Sequence, residues 1–340
     1  MSEGATRSDE AGTERLLRER CVWITWERQR RNRELAAALG CPLHEWGDVD
    51  AIPRGARKYA TGLLRTVRLL LRRRPRLVIC QNPSLVLAWA LARLRPLLRY
   101  RLVVDAHNAG LMPLEGRSRV LNRLALAVQR AADLTIVSNS ALAGIVTRNG
   151  GRAAVLADRI PSLPELPRRA LPGRHNVLFI CSYSPDEPYR AVFEAARRLG
   201  ADYRFYVTGN PAKVGLDAGA LPGNVELTGF LPEEEYVALL RSVDVALDLT
   251  SRPDCLVCGA YEALSAGIPA VLSDSVALRA YFDGAAIFAG HSPAELAAAV
   301  AEAVSRREDI AAGLPALRRR RQEEWEKALG ALRSALGDLA

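Results

Sequence analysis

The chain has 340 residues, 49% of them apolar, with 47 Lys plus Arg against 38 Asp plus Glu. That apolar share excludes disorder as the main state and supplies core for two domains of ordinary size. The longest unbroken apolar stretch, Leu85 to Ala92, falls far short of the ~20 residues a bilayer-crossing helix needs.

Met1 to Arg20 is charged and lacks an apolar run followed by a small-residue cleavage site. Residues 1–20 therefore read as a flexible tail, neither signal peptide nor anchor, and a cytoplasmic location is expected. From Cys21 onward, short apolar runs alternate with segments of helical period, the pattern of a parallel sheet covered on both faces. Strands are expected at Cys21–Trp26, Leu77–Gln81, Leu102–Asp105 and Leu134–Ser138, and helices at 31–39, 58–73, 84–94 and 117–131. They define a first doubly wound domain over 21–157. In 158–173 four prolines fall within twelve positions, 161 to 172, which prevents a helix or a central strand, so this segment reads as a linker. The alternation then restarts over 174–311. Its strands are expected at Asn176–Cys181, Tyr203–Thr208, Val225–Thr228, Val243–Asp248 and Pro269–Leu272, and its helices at Tyr189–Leu199, Glu233–Arg241, 259–266 and Pro293–Ser305. Residues 312–340 are helical in composition and are expected to pack back on the first domain.

Open α/β sheets bind ligands beyond the carboxyl ends of their strands. Two doubly wound domains facing across a cleft would feed it with loops from both. The charge is divided: residues 1–170 hold 30 Lys plus Arg and 15 Asp plus Glu, while 171–340 hold 17 and 23. A basic half suits an anionic partner such as a phosphorylated substrate or an acidic lipid surface. Nucleic acid is not expected, since no aromatic-plus-basic binding motif accompanies the charge. Of six cysteines, at 21, 41, 80, 181, 255 and 258, four lie in or beside apolar runs, so no disulfide framework is expected. Cys255 and Cys258 have zinc-pair spacing but no second pair joins them, so no metal is expected.

Chemistry concentrates between Asp248 and Asp274. A strand ends near Asp248, a loop passes through Arg252 and Asp254, and a helix opens at Val257 to Gly259 and closes at Gly267-Ile268-Pro269. Unpaired amides at a helix start suit a diphosphate, and Asp254 and Glu262 flank it as acceptors for sugar hydroxyls. This segment resembles the nucleotide-sugar site of GT-B glycosyltransferases of the family-four type, whose signature is Glu, seven residues, Glu. Here it reads Asp254, seven residues, Glu262, followed by Ala-Leu-Ser-Ala-Gly-Ile-Pro. The resemblance implies two Rossmann-like domains, a nucleotide-diphosphate sugar as co-substrate, no cofactor, and Glu262 on the ribose with Asp254 on the donor sugar. Leu256, Val257, Cys258 and Gly259 would line the diphosphate. Gly209 and the turn Gly229-Phe230-Leu231-Pro232 match the positions that end a strand and meet the base.

The family's diphosphate-clamping Arg and Lys are replaced by Cys181-Ser-Tyr-Ser-Pro-Asp-Glu-Pro188. That loop is similar to the one in β-mannosyltransferases that extend lipid-linked chitobiose and in their bacterial relatives. Phosphate neutralisation then falls to backbone amides, Ser182, Ser184, Arg190 or Arg252. Retaining and inverting paths both stay open. An inverting one needs a general base, for which Glu27, Asp105 and His107 are candidates. His107, two residues beyond a strand end, resembles the GT-B histidine that reaches the donor sugar. Trp26, Arg28, Arg30 and Arg31 follow the first strand and are candidates for gripping an acceptor's phosphate. Basic amphipathic segments at 57–74 and 93–101 suit peripheral contact with an anionic membrane. The reading is a metal-independent hexosyltransferase acting on a lipid-linked or oligosaccharide acceptor in cell-surface polysaccharide synthesis. Its alternative is a degenerate transferase fold serving as a binding or scaffold subunit.

Overall fold

The computed structural model describes residues 2–52, 55–82, 84–216, 219 and 221–339, without the side chains of 2–10 and 50. It divides into two compact units, Met1–Arg159 with Glu324–Ala340, and Ile160–Glu323.

Unit 1 runs α1 (Ser2–Glu19), β1 (Cys21–Thr25), α2 (Arg30–Leu39), β2 (Leu43–Glu45), α3 (Gly47–Asp50), α4 (Ala56–Arg73), β3 (Leu77–Asn82), α5 (Leu85–Leu98), β4 (Arg101–Ala106), α6 (Asn108–Leu111), α7 (Arg119–Ala131), β5 (Leu134–Val137), α8 (Ser140–Arg148) and β6 (Ala153–Val155). Its strands pair in parallel in the order β2-β1-β3-β4-β5-β6. The two-residue period of a strand sends alternate side chains to opposite faces. Val22 and Ile24 of β1 therefore enter one core layer and Cys21 and Trp23 the other. Residues 2–19 form helix α1, where the sequence reads as a tail; Leu17 is fully buried in unit 1.

Unit 2 runs β7 (His175–Phe179), α9 (Tyr189–Leu199), β8 (Tyr203–Thr208), β9 (Val225–Gly229), α10 (Glu233–Leu240), β10 (Val245–Asp248), α11 (Cys258–Ala266), β11 (Ala270–Ser273), α12 (Val276–Phe282), β12 (Ala286–Ala289) and α13 (Pro293–Ser305). The strands are parallel in the order β12-β11-β10-β7-β8-β9. Val177 and Phe179 face one layer and Leu178 the other. The proline-rich stretch has no regular structure. Leu163 nonetheless enters a core layer of unit 2, and Ser265 Oγ donates to the Pro161 carbonyl at 2.5 Å.

Helix α14 (Arg307–Asp338) continues through Pro315. Ile310, Leu314 and Leu317 join a layer of unit 2, whereas Trp325, Leu329, Leu332 and Leu336 join one of unit 1. Within each group the three- and four-residue spacing is that of a buried helical stripe.

Candidate functional site

In unit 2 strand order reverses between β7, followed in space by β8, and β10, followed by β11. Loops leaving the carboxyl ends of strands at such a reversal form the natural ligand crevice of an open α/β sheet. Here they are the loop 180–188 and the loop 249–257.

The first loop is built around a carboxylate. Tyr183 takes φ +57°, a left-handed conformation that is strained for a bulky side chain. It turns the Ser182 and Ser184 amides inward, and each donates to Glu187 Oε2 at 2.9 Å. Ser182 Oγ donates to Glu187 Oε1 at 2.8 Å and lies 2.8 Å from Ser184 Oγ. With its proton on Glu187, Ser182 accepts from Ser184. Successive amides around a left-handed residue form a concave anion seat, and Glu187 fills it. Both serine protons, expected to face a diphosphate, are directed into the loop.

A cation missing from the sequence reading sits beside it. Lys213 Nζ donates to the Ser182 carbonyl at 2.9 Å, from the short 3-10 turn Pro211–Val214 that follows β8. The loops after β7 and β8 come this close because residue 209 has no Cβ, which would stand 2.3 Å from the Cys181 carbonyl oxygen. Gly209 has φ +88° as well, a left-handed backbone that disfavours any side chain there. The local signal was Gly209-Asn210-Pro211, a strand stop and turn two residues ahead of Lys213.

The second loop leads into α11, and its start differs from expectation. The Gly259 amide donates to Asp248 Oδ2 at 2.7 Å, so the chain's own carboxylate takes this helix-terminal donor. A Cβ at 259 would lie 2.6 Å from that oxygen. Burial, offset by the Gly259 amide and reinforced by Glu187, Glu262 and Asp186, holds the Asp248 carboxyl well above the usual carboxylate range. Leu256 and Val257 bury their side chains in a core layer, while Cys258 is exposed. Arg252 pairs with the buried Asp186 at 3.1 Å, and Thr250 Oγ1 donates to the same carboxylate at 2.7 Å. Asp254 is half-buried in this loop.

One turn into α11, Glu262 Oε2 accepts a 2.5 Å hydrogen bond from the Tyr236 hydroxyl of α10. Burial and the Glu262 charge push the Tyr236 phenol far up, so it stays a donor. Tyr236 is a second residue that sequence reasoning missed; its position after the Gly229–Pro232 turn was the available signal. Phe230 in that turn is 74% exposed and Leu231 packs on the core.

Unit 1 corrects three expectations. Trp26 is buried, its Nε1 donates to Thr66 Oγ1 at 3.2 Å, and its ring lies where a Cβ on Gly62 would be. It is core, not an acceptor contact. Arg31 is buried too: it binds Asp105 through Nε and Nη2 at 2.9 to 3.1 Å, Asp158 through Nη1 at 2.6 Å, and the Leu156 carbonyl at 3.0 Å. A guanidinium so enclosed has no fork left for a phosphate. Asp105, 1% exposed and spanned by that fork, is likewise unsuited to abstracting an acceptor proton, because a general base must reach the proton it removes. Arg28 and Arg30 remain exposed and Glu27 half-buried at the end of β1. His107 precedes α6, its side chain 32% exposed; its Nε2 lies 3.9 Å from Asp105 Oδ2 and has no hydrogen-bond partner among the described residues. No group of three or more His, Cys, Asp or Glu among the described residues is arranged to hold a metal.

Comparison with known proteins agrees with this architecture. Among solved structures, sucrose-phosphate synthase from Thermosynechococcus elongatus is similar with a TM-score of 0.70 at 14% identity, over 92% of this chain and 96% of that one. Anabaena Alr3699/HepE in complex with UDP and glucose gives 0.66 at 13% identity, over 92% and 99%. The fold is GT-B. UDP-GlcNAc 2-epimerase from Methanocaldococcus jannaschii shares it more distantly, at 0.52 and 12% identity over 83% and 91%. Residues 186–328 match a family model described as glycosyl transferase-like. Among curated proteins, none matches.

Proposed function

We propose that this protein is a glycosyltransferase that takes a sugar from a nucleotide-diphosphate donor. One observation carries the reading: Glu262, fixed by the Tyr236 hydroxyl at 2.5 Å, stands one turn inside a helix that opens beyond β10, next to the strand-order reversal. A carboxylate held there is placed to accept from a ribose diol, hydrogen bonds that contribute roughly 1.5–3 kcal/mol each when one partner is charged. The family-model match over 186–328 and the UDP-bound state of the Alr3699/HepE structure support the same class.

On this reading Asp254 contacts the donor sugar, exposed Phe230 lies along the base with the Leu231 backbone, and Lys213 supplies the cation that the 181–188 loop lacks. The acceptor oxygen bonds to the anomeric carbon as the sugar–phosphate bond breaks and the nucleoside diphosphate leaves. The acceptor's proton goes to a general base in an inverting reaction, or to the departing phosphate in a retaining one. The acceptor we propose is a lipid-linked glycan of surface-polysaccharide synthesis, gripped by Arg28 and Arg30. Among the described residues no helix is long and apolar enough to cross a membrane. Leu64, Leu71, Trp89 and Leu97 are exposed between arginines, which suits peripheral docking on an anionic bilayer.

The test is release of nucleoside diphosphate from a panel of nucleotide sugars. Turnover that falls at least ~100-fold in Glu262→Ala, the loss of two charge-assisted bonds, supports the reading. Turnover unchanged in that variant contradicts it. One observation favours a second reading, a scaffold subunit without catalysis: Asp248 holds the Gly259 amide and Glu187 fills the loop seat, so both anion sites are occupied by the chain itself. A folded protein that neither binds nor turns over any nucleotide sugar would select it.

A further inference from the structure

Cys21 opens β1 and Cys41 lies two residues before β2, the edge strand of its sheet. The two strands run parallel with Trp23 opposite Leu43, Ile24 opposite His44 and Thr25 opposite Glu45. The same offset of 20 residues sets Cys21 opposite Cys41. Trp23 N donates to the Pro42 carbonyl at 2.9 Å, so the pairing reaches the residue next to Cys41. Residues paired laterally on neighbouring strands sit ~4.8 Å apart and point to one face, within the ~4.4–6.8 Å Cα separation a disulfide accepts. Both side chains enter the same core layer. The sulfurs are 2.8 Å apart, and both residues are free thiols.

We propose that Cys21 and Cys41 form a redox modification site whose oxidising co-substrate is a small hydroperoxide. Cys41, 6% exposed against 2% for Cys21, lies on the edge-strand side and is the thiol the oxidant reaches. Its sulfur attacks the peroxide, the O–O bond breaks, water leaves, and Cys41 becomes a sulfenic acid. The Cys21 sulfur then attacks the Cys41 sulfur, the S–O bond breaks, and a second water leaves with the Cys21 proton. Two thiols lose two hydrogens and two electrons, and one hydrogen peroxide becomes two waters. The bond would enclose all of α2, with Arg31 and Asn32, and tie that helix to the sheet by restricting the unfolded chain.

The experiment exposes the full-length folded protein to hydrogen peroxide, blocks the remaining thiols, and reads intact mass, the proteolytic map and Tm. The proposal expects loss of two of the six thiols, a single cross-link joining Cys21 to Cys41, and a Tm rise of about 5–10 °C reversed by dithiothreitol. In Cys21→Ser and Cys21→Ala, Cys41 stops at the sulfenic acid, is trapped by dimedone, and gives no Tm rise. A thiol count that stays at six, a cross-link mapping to Cys255 and Cys258 instead, or an equal dimedone adduct in wild type and Cys21→Ser would overturn it.

Discussion

Arg28, Arg30 and Arg31 crowd four positions of sequence, yet only the first two are exposed. The third is drawn inward because Asp105, buried at the end of β4, and Asp158, half-buried beyond β6, both need a partner. Burial opposes the charge on Arg31, but the two carboxylates outweigh it and raise its pKa further. Burial would also raise Asp158; the Arg31 charge, with His107 and the Arg31 hydrogen bond, holds it below the usual range instead. Removing one member of a buried ion cluster leaves the others uncompensated, at about 3–5 kcal/mol, so Arg31→Ala should lose that much in urea unfolding. A loss under about 1 kcal/mol would contradict the buried triad. Asp158 also has a pH signature. A carboxylate depressed in the fold stabilises above its unfolded pKa of about 3.9, and that contribution fades as pH falls through the lower folded value. Asp158→Asn should therefore flatten the acid limb of the stability curve below about pH 4; an unchanged slope would exclude the linkage.

Helix α11 shows what a pattern of residue types conveys and what it leaves out. Its existence, its place after β10 and its stop at Gly267 follow from local chemistry: small and apolar residues in sequence, then Gly-Ile-Pro. That Asp248 would cap Gly259, and that Glu187 would fill the 181–184 seat, depended on how each loop folds back on itself, with Tyr183 left-handed, and residue types alone do not convey that path. Lys213 and Tyr236 escaped because each meets its partner only across neighbouring strands or helices, and strand order is not written in any one segment. Short strands β2 and β6 passed unread because three residues give too little periodicity to register. The glycines separate these cases by experiment. Gly259→Ala should cost about 1–3 kcal/mol by crowding Asp248 and Ile180. Gly209→Ala should cost at least as much, since it adds a left-handed residue to a backbone clash. Gly330→Ala, in α14 with open space around it, should instead stabilise by up to about 1 kcal/mol. Equal effects at all three would show that the loops do not approach as described.

Two units of the same design carry opposite charge, and the imbalance was legible from composition alone. The first half, 30 cations to 15 anions, also exposes Trp89 at 41% and Leu97 at 77%, with the Arg93 guanidinium 5.9 Å from the Trp89 ring. Each cation near an anionic bilayer contributes ~1 kcal/mol. The protein should therefore co-sediment with anionic liposomes at low salt and release as salt screens the charge; indifference to lipid charge would remove the docking proposal. The donor site is the claim on which the rest stands, and calorimetric titration with nucleoside diphosphates tests it most directly. One such ligand should bind the wild type, and Glu262→Ala should weaken it at least ~10-fold, the equivalent of about 1.4 kcal/mol. Wild type and Glu262→Ala binding every nucleoside diphosphate alike, or not at all, would contradict it.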